Sequence, residues 1–503
     1  HVRGLELGNA VFTEFLGEPS NSVEMKEKVV DMGAGLERFS WLSTGKATSY
    51  DTTFSYALPK LLDRCKIEYD EGLLLRYYVQ SACLDYGEGD LPKKLNTELA
   101  VLRQRIEQLE AIYALLDHTR TLTFAIADGG LPSNVAGGYN LRVILRRALS
   151  ILERYKFDVS LSELVEMHID GLVKIYPELS EHKDEVKTIL SVEEQKYLKT
   201  KERVAKIIER LKREAKPPTE DRLITLYESE GIQPEELVKH NIISDVPKDF
   251  YRRVTEKHLG VKIIQPEKTK FDIETLPPTH LLFYKDEKML HFEARVLKIF
   301  DGRYVVLDRT AFYPRSGGQE PDVGTIGLSK VVDVEKHGQV VVHVVDKAGF
   351  KEGELVWCMV DGERRARLTR HHTATHIING AARRLLGSWV WQHSAYKDVG
   401  KARLDITHFE HLSDEQIRQI EVLANRVVQA NIPVVKETLP RGEAEAKYGF
   451  RIYQGGVVPG REVRVINIVD WDVEACGGTH CNTTGEVGYI KILKSERVQD
   501  GVE

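Results

Sequence analysis

No stretch of the 503 residues approaches the roughly 18 consecutive apolar residues of a membrane-crossing helix; runs such as Leu122–Ala127 are short. The first residues, HVRGLELGNA, lack a basic segment followed by an apolar one, so no secretory signal is legible. Cysteine is scarce. Cys65, Cys83, Cys358, Cys476 and Cys481 are too few and too scattered for a disulfide framework, which points to a reducing cytosol and a cytoplasmic protein. Charge of one sign is missing as well: Lys+Arg 71 against Asp+Glu 77 gives −6, so any nucleic-acid surface has to be a local patch. These absences exclude a secreted, fibrous or membrane protein. A hydrophobic share of 42% and a charged share of 29% describe a soluble chain, and its length predicts three or four domains.

The periodicity changes along the chain. Lys28–Met32 reads as a short strand, Gly33-Ala34-Gly35 breaks it, and Leu36–Leu42 resumes as helix. From Leu91 to Leu116 the apolar positions Leu99, Leu102, Ile106, Leu109, Tyr113 and Leu116 step by three and four, one stripe of a packed helix. A second helical region follows Asn140, and a third, rich in Lys and Glu, runs from about Val192 to Ala215 and stops at Pro217-Pro218. Near Pro266 the texture turns to β: Ala294–Phe300, Tyr304–Leu307 and Gln339–Val345 are short, β-branched or aromatic, and separated by turn residues. An Arg-rich run after Asp361 leads into a helix, and the chain ends as mixed α+β. No fixed-period repeat or low-complexity tract interrupts this order.

The clearest chemistry lies in the last third. His372 and His376 are four apart in the helical segment RHHTATHIINGAARRLL, so both imidazoles leave one helix face about one turn apart. Further on, ACGGTHC supplies Cys476 and His480, with Cys481 as a spare thiol. Three imidazoles and a thiolate are donors that Zn²⁺ takes in tetrahedral geometry. A zincin protease is excluded, because Thr373 stands where His-Glu-x-x-His has its glutamate. A second segment, TAFYPRSGGQEPDVG, sets Thr310 and Gln319 around Gly317-Gly318. A third candidate is Gln392, with Ser394, in WVWQHSA. Taken singly, each has an ordinary structural explanation: a chance histidine pair, a hairpin, a strand end.

Together these motifs resemble the editing domain of alanyl-tRNA synthetases and of the free-standing alanyl-tRNA editing proteins, in the same order and over roughly residues 290–490. The resemblance implies zinc held by His372, His376, Cys476 and His480, with Thr310, Gln319 and Gln392 as catalytic-site residues and Thr310 meeting a serine hydroxyl. KVVDMGAGLERFSWL is similar to motif 3 of a class II aminoacyl-tRNA synthetase, and LELGNAVFTEF to the segment before it. That likeness implies alanine's ammonium on Asn9 and Asp31, Gly33 at the pocket floor, and Arg38 on the ATP phosphates, with Mg²⁺ as companion ion. HTRTLTFAIADGGLPSNVAGGYNLRVILRRAL resembles the family's tRNA-recognition helices. Between Arg120 and Lys156 six basic residues face two acidic ones, a local +4 that suits phosphate contacts through Arg142, Arg146 and Arg147. The resemblance further implies that Asn134 of LPSN and Glu228 of ITLYESEG read the acceptor-stem G·U pair of tRNA-Ala; Glu228 replaces the family's Asp and is one methylene longer.

The expected architecture is multi-domain α/β and α+β: the end of a class II catalytic domain (1–75), a helical tRNA-recognition domain (76–265), a small β-barrel (266–358) and a zinc-containing α+β editing domain (359–503). Class II motifs 1 and 2 and the family's C-terminal dimerisation region are not found, so the chain reads as a fragment competent for tRNA recognition and editing only. The expected activity is alanine–tRNA ligation with ATP in the full enzyme, and hydrolysis of tRNA-Ala mischarged with serine or glycine here. The rival readings are a tRNA-binding module with a structural zinc and a free-standing editing deacylase. Four protein ligands would make the zinc structural and three plus water catalytic; the sequence leaves both open.

Overall fold

The computed structural model describes residues 6–17, 22–81, 91–133, 136–214, 217–228, 232, 234–247, 250, 271, 273, 275–454 and 460–503. Its contacts divide the chain into two compact units, His1–Asp128 with Asn140–Ile207, and Gly129–Tyr139 with Ile208–Glu503.

The first unit opens with an antiparallel hairpin, Gly8–Leu16 against Val23–Ala34, followed by the helix Leu36–Thr44. The strand–turn–helix order matches the sequence reading. Every described position of Gly8–Leu16 is exposed, including Phe12 at 71% and Leu16 at 71%, so this ribbon carries no core of its own. The core of the unit is helical. Leu102, Ile106, Leu109, Tyr113 and Leu116 form the predicted stripe of helix Leu99–Ala127, and all are buried. Helix Leu161–Leu172 starts on a reciprocal cap: Ser160 Oγ accepts from Glu163 N–H, and Glu163 Oε2 accepts from Ser160 N–H. Helices Ala136–Tyr155 and Lys183–Arg213 follow along the chain. Among the described residues, no helix is long and apolar enough to cross a membrane.

The second unit contains a closed six-stranded antiparallel barrel. Its strands neighbour one another in the order Leu355–Val360, His291–Phe300, Tyr304–Leu307, Val340–Val345, Ser329–His337 and Gly324–Ile326, the last pairing with the first. Leu355–Val360 alternates exposed and buried, the signature of a strand with one face inward. Val340–Val345 is buried throughout: Val341 and Val345 join the barrel core, while Val340 and Val342 pack with Phe271, Ile273 and Val306.

Beyond the barrel, Asp361 caps helix Gly362–Leu386 by accepting from Arg364 N–H. A two-stranded ribbon (Gln392–Lys397, Ala402–Ile406), helix Asp414–Ala430 and a three-stranded sheet (Val434–Pro440, Glu462–Ile468, Asp472–Ala475) complete the α+β part.

Inside the barrel, His343 is fully buried, donates Nδ1–H to Val305 O (3.1 Å) and accepts at Nε2 from the Thr310 hydroxyl (2.8 Å). Burial pushes its pKa down to about 4, against the backbone hydrogen bond that raises it. The unfolded chain, with an ordinary imidazole near ~6.5, therefore binds the extra proton first. This contribution should be fully present above pH ~6.5 and fade as the pH falls towards 4, by roughly 3 kcal/mol in all. Urea unfolding of wild type and His343→Gln at stepped pH checks this: the gap between them should narrow with acidification, and a constant gap would contradict it.

Candidate metal centre

Helix Gly362–Leu386 presents His372 and His376 on one face, and the loop after strand Asp472–Ala475 brings Cys476 and His480 against them. The four donor atoms all lie within 4.8 Å of one another. Cys476 Sγ is 3.3 Å from His372 Nε2 and 3.5 Å from His480 Nε2. A tetrahedral zinc with nitrogen at about 2.0–2.1 Å and thiolate at about 2.3 Å spaces its ligand atoms by roughly 3.3–3.6 Å. The observed separations fall in that window.

Each imidazole is aimed by a neighbour. His372 Nδ1–H donates to Gln319 Oε1 (2.7 Å), leaving Nε2 free. His480 Nδ1 meets Thr373 Oγ1 (3.2 Å), which also accepts from Cys481 N–H (3.0 Å), so the residue standing in place of the zincin glutamate orients a ligand. His376 Nε2 lies 3.4 Å from Glu474 Oε2, and its Nδ1 is buried without a hydrogen-bond partner. A donor set of these types, with two sulfur–nitrogen separations in the tetrahedral range and an orphaned buried nitrogen, fits zinc. Burial holds the His372 and His480 pKa values well below the ordinary range, helped by Lys397 at His372 and by His372 and then His376 at His480. Burial pushes the Cys476 thiol up, yet the neighbouring His376 and the charge of Lys397 bring it below its usual value. Neutral imidazole and thiolate are the ligand forms.

The Cys476–Cys481 loop is clamped by residues remote in sequence. Glu287 accepts from His480 N–H (2.9 Å), Lys436 Nζ (2.6 Å) and Arg464 Nη2 (2.6 Å). Arg464 Nη1 donates to the carbonyls of Cys476 and Gly478, both at 2.8 Å. Gly478 has to be glycine, because a Cβ there would sit 2.0 Å from His372 Cε1. Glu287, Lys436 and Arg464 carried no signal in the sequence. Glu474 did: two residues before Cys476 on a strand, it points to the same side.

The other expected site residues divide. Gln319 reaches the centre. Thr310 does not: its buried hydroxyl is spent on His343 Nε2 and on Phe312 N–H, which corrects the expectation that it meets a substrate hydroxyl. Gln392 is half-buried, and its backbone N–H donates to Gln454 Oε1 (2.8 Å). Gln454 in turn accepts from Asn379 Nδ2 (3.4 Å), which donates to Glu474. Gln392 thus lies at the far end of a hydrogen-bond relay to His376.

In the hairpin, Asn9 pairs with Gly33 and Val11 with Asp31, so Asn9, Asp31 and Gly33 share one face. A Cβ on Gly33 would come within 3.2 Å of Asn9 Oδ1. Arg38, in the first turn of the following helix, donates to Glu6 O (2.7 Å). Arg142 is corrected as a phosphate contact: it is 5% exposed and forms a two-pronged pair with Glu193, both bonds at 2.9 Å. Arg146 is half-buried and Arg147 exposed on the same helix. Asn134 lies outside the described residues, as does the side chain of Glu228, which ends helix Glu220–Glu228.

The purified chain should carry about one zinc. Cys476→Ala should lose most of it, while Cys481→Ala, which removes a buried thiol outside the four-donor set, should keep it. Elemental analysis of the three proteins decides, and full zinc retention in Cys476→Ala would remove that residue from the ligand set.

Comparison with known proteins agrees with this geometry. Residues 2–364 match the family described as "tRNA synthetases class II (A)", and residues 463–503, which include Cys476 and His480, match "Threonyl and Alanyl tRNA synthetase second additional domain". The class II match includes the front hairpin, so catalytic-domain sequence accompanies the editing-type domain. The alanine–tRNA ligase of Nitrosopumilus maritimus is 46% identical over all of this chain and 57% of its own length. That of Cenarchaeum symbiosum is 48% identical over all of this chain and 56% of its own length. For Pyrococcus abyssi the identity is 43%, over all of this chain and 59% of the relative. The chain thus spans somewhat more than half the length of these relatives. With its strand–turn–helix front inside the class II match and two of its four donors, Cys476 and His480, inside the second additional domain, the chain belongs to the alanyl-tRNA synthetase family.

Proposed function

We propose that the chain serves alanine–tRNA ligation, with alanine, ATP with Mg²⁺ and tRNA-Ala as partners, and that its last third removes serine or glycine wrongly esterified to that tRNA. The observation that carries the editing reading is the ligand set His372, His376, Cys476 and His480 with Gln319 pressed onto it. Zinc bound there supplies Lewis-acid chemistry, polarising a water or anchoring the substrate's amino group. The chain's own residues do the rest. Gln319 and Thr373 hold two imidazoles by their outward nitrogens, and the buried ligand side chains keep bulk water from them. Serine and glycine are the natural errors, since an alanine pocket discriminates weakly against one added hydroxyl or one lost methyl.

Upstream, the shared face of Asn9, Asp31 and Gly33 suits an ammonium between an amide and a carboxylate, and Arg38 suits a phosphate. Asn134 and Glu228 are the proposed readers of the G·U pair, with Arg146 and Arg147 on phosphates. The four-part division at 75, 265 and 358 is retained with this reading, as is a cytoplasmic setting, where Cys476 stays reduced. The class II match over residues 2–364 supports the larger enzyme over a free-standing deacylase. One observation favours a different role: four protein ligands close a tetrahedral shell, the pattern of a zinc that only braces its loop.

Deacylation of seryl-tRNA-Ala separates the two roles. The zinc-loaded chain should hydrolyse it, chelation should stop the reaction, and added zinc should restore it; a loaded chain without hydrolysis is a tRNA-binding module.

The RNA contact has its own test. Asn134→Ala should reduce the preference for a G·U over a G·C acceptor stem by ~1–3 kcal/mol, whereas Arg147→Ala should weaken both stems alike. Binding measured on the two stems reads both effects, and an unchanged ratio in Asn134→Ala would remove that residue from recognition.

A further inference from the structure

Lys397, the last residue of strand Gln392–Lys397, is the only buried lysine among the described residues, with 1% of its surface exposed. Lysine is almost never fully buried unless paired, because an ammonium taken out of water is costly. Here no ion pair offsets it among the described residues. Burial lowers its pKa, and the nearby Cys476 and Glu474 pull it back up. A side chain kept at such a cost has a task.

Its hydrogen bonds show where the task lies. Lys397 Nζ donates to Gly317 O (3.1 Å), its N–H donates to Gly318 O (2.7 Å), and its carbonyl accepts from Glu320 N–H (3.1 Å). The three bonds bracket Gln319, which itself pairs in parallel with Lys397. The turn lies tight against the same strand: Gly318 sits at φ +71°, and a Cβ there would lie 1.9 Å from Ala395 O. Out of this turn the Gln319 side chain reaches the centre. Oε1 accepts from His372 Nδ1 (2.7 Å) and Thr479 N–H (3.2 Å), and Nε2 donates to Thr479 Oγ1 (3.0 Å).

We propose that Lys397 is a positioning residue of the metal centre: its ammonium, on the Gly317 carbonyl, fixes the turn that aims Gln319 at His372. The inference rests on the metal reading of the four-donor set. It goes beyond that reading by assigning metal affinity to a lysine that binds no metal, acting through a glutamine. An apolar residue of similar length would fill the same space without holding the carbonyl.

Zinc affinity, measured by competition with a chromophoric chelator, tests this in a two-residue cycle. Lys397→Met and Gln319→Ala should each weaken zinc binding roughly tenfold or more, the usual effect of losing an outer partner of a ligand histidine. The double variant should be no weaker than about twofold below Gln319→Ala, because the lysine acts through the glutamine. If Lys397→Met fails to fold, Lys397→Arg, which keeps charge and donors, carries the cycle: any affinity change it causes should vanish in the Gln319→Ala background. An effect at position 397 that persists undiminished in that background overturns the role of Lys397, as does a folded Lys397→Met with wild-type affinity. A wild-type chain that takes up no zinc overturns the metal reading instead.

Discussion

The four-donor cluster of the candidate metal centre depends on a single buried ion pair that touches none of the four donors. Arg365 is 3% exposed, and its guanidinium lies against the fully buried Asp322 carboxylate while donating to Glu287 O (2.8 Å) and Ala311 O (2.5 Å). Asp322 in turn accepts from Tyr313 N–H (2.6 Å). Arg365 belongs to the helix of His372 and His376, Asp322 and Tyr313 to the segment that carries Gln319, and Glu287 is the anchor of the Cys476–Cys481 loop. One side chain thereby sets the register of all three. Such a pair contributes little net stability against an apolar replacement, but leaving one partner alone is expensive. It favours one arrangement over its neighbours.

Electrostatics around the loop follow from that arrangement. Glu287 is one carboxylate shared by Lys436 and Arg464, so the trio keeps a surplus positive charge beside the Cys476 carbonyl. Lys397 adds another from the opposite side of the sequence. A thiolate ligand is an anion in a mostly buried place, and His376 and Lys397 beside it, with the Gly478 N–H, lower the pKa of the Cys476 thiol against the opposing effect of burial. The carboxylate of Glu474, next to His376, is itself satisfied by Asn379.

Much of this was legible in the sequence, for physical reasons that differ between parts. The stripe from Leu102 to Leu116 is a local period, and local periods survive folding. The ligand pairs were readable because four-residue spacing on a helix, and again in a short loop, fixes proximity without knowledge of the fold. Gln319 was found through its glycines. What escaped was everything whose meaning depends on contacts across long separations: Glu287 lies 193 residues from His480, and Arg464 and Lys397 are ordinary cations until burial singles them out. Thr310 and Arg142 misled for the same reason. Their types suit a ligand, and only the fold shows that His343 and Glu193 already occupy them.

The hairpin Gly8–Leu16 and Val23–Ala34 brings a different liability. Among the described residues neither edge of this ribbon pairs with a further strand, and the ribbon exposes Val11, Phe12, Leu16, Val23, Val30 and Met32. Unpaired backbone beside apolar side chains is a template for any extended strand that drifts past. Its defences are a pairing irregularity between Thr13 and Phe15, which disturbs the flat register, and Lys28 between Glu14 and Glu24 on one stretch of surface. Those charges are screened by salt, whereas the attraction between apolar ribbons is not.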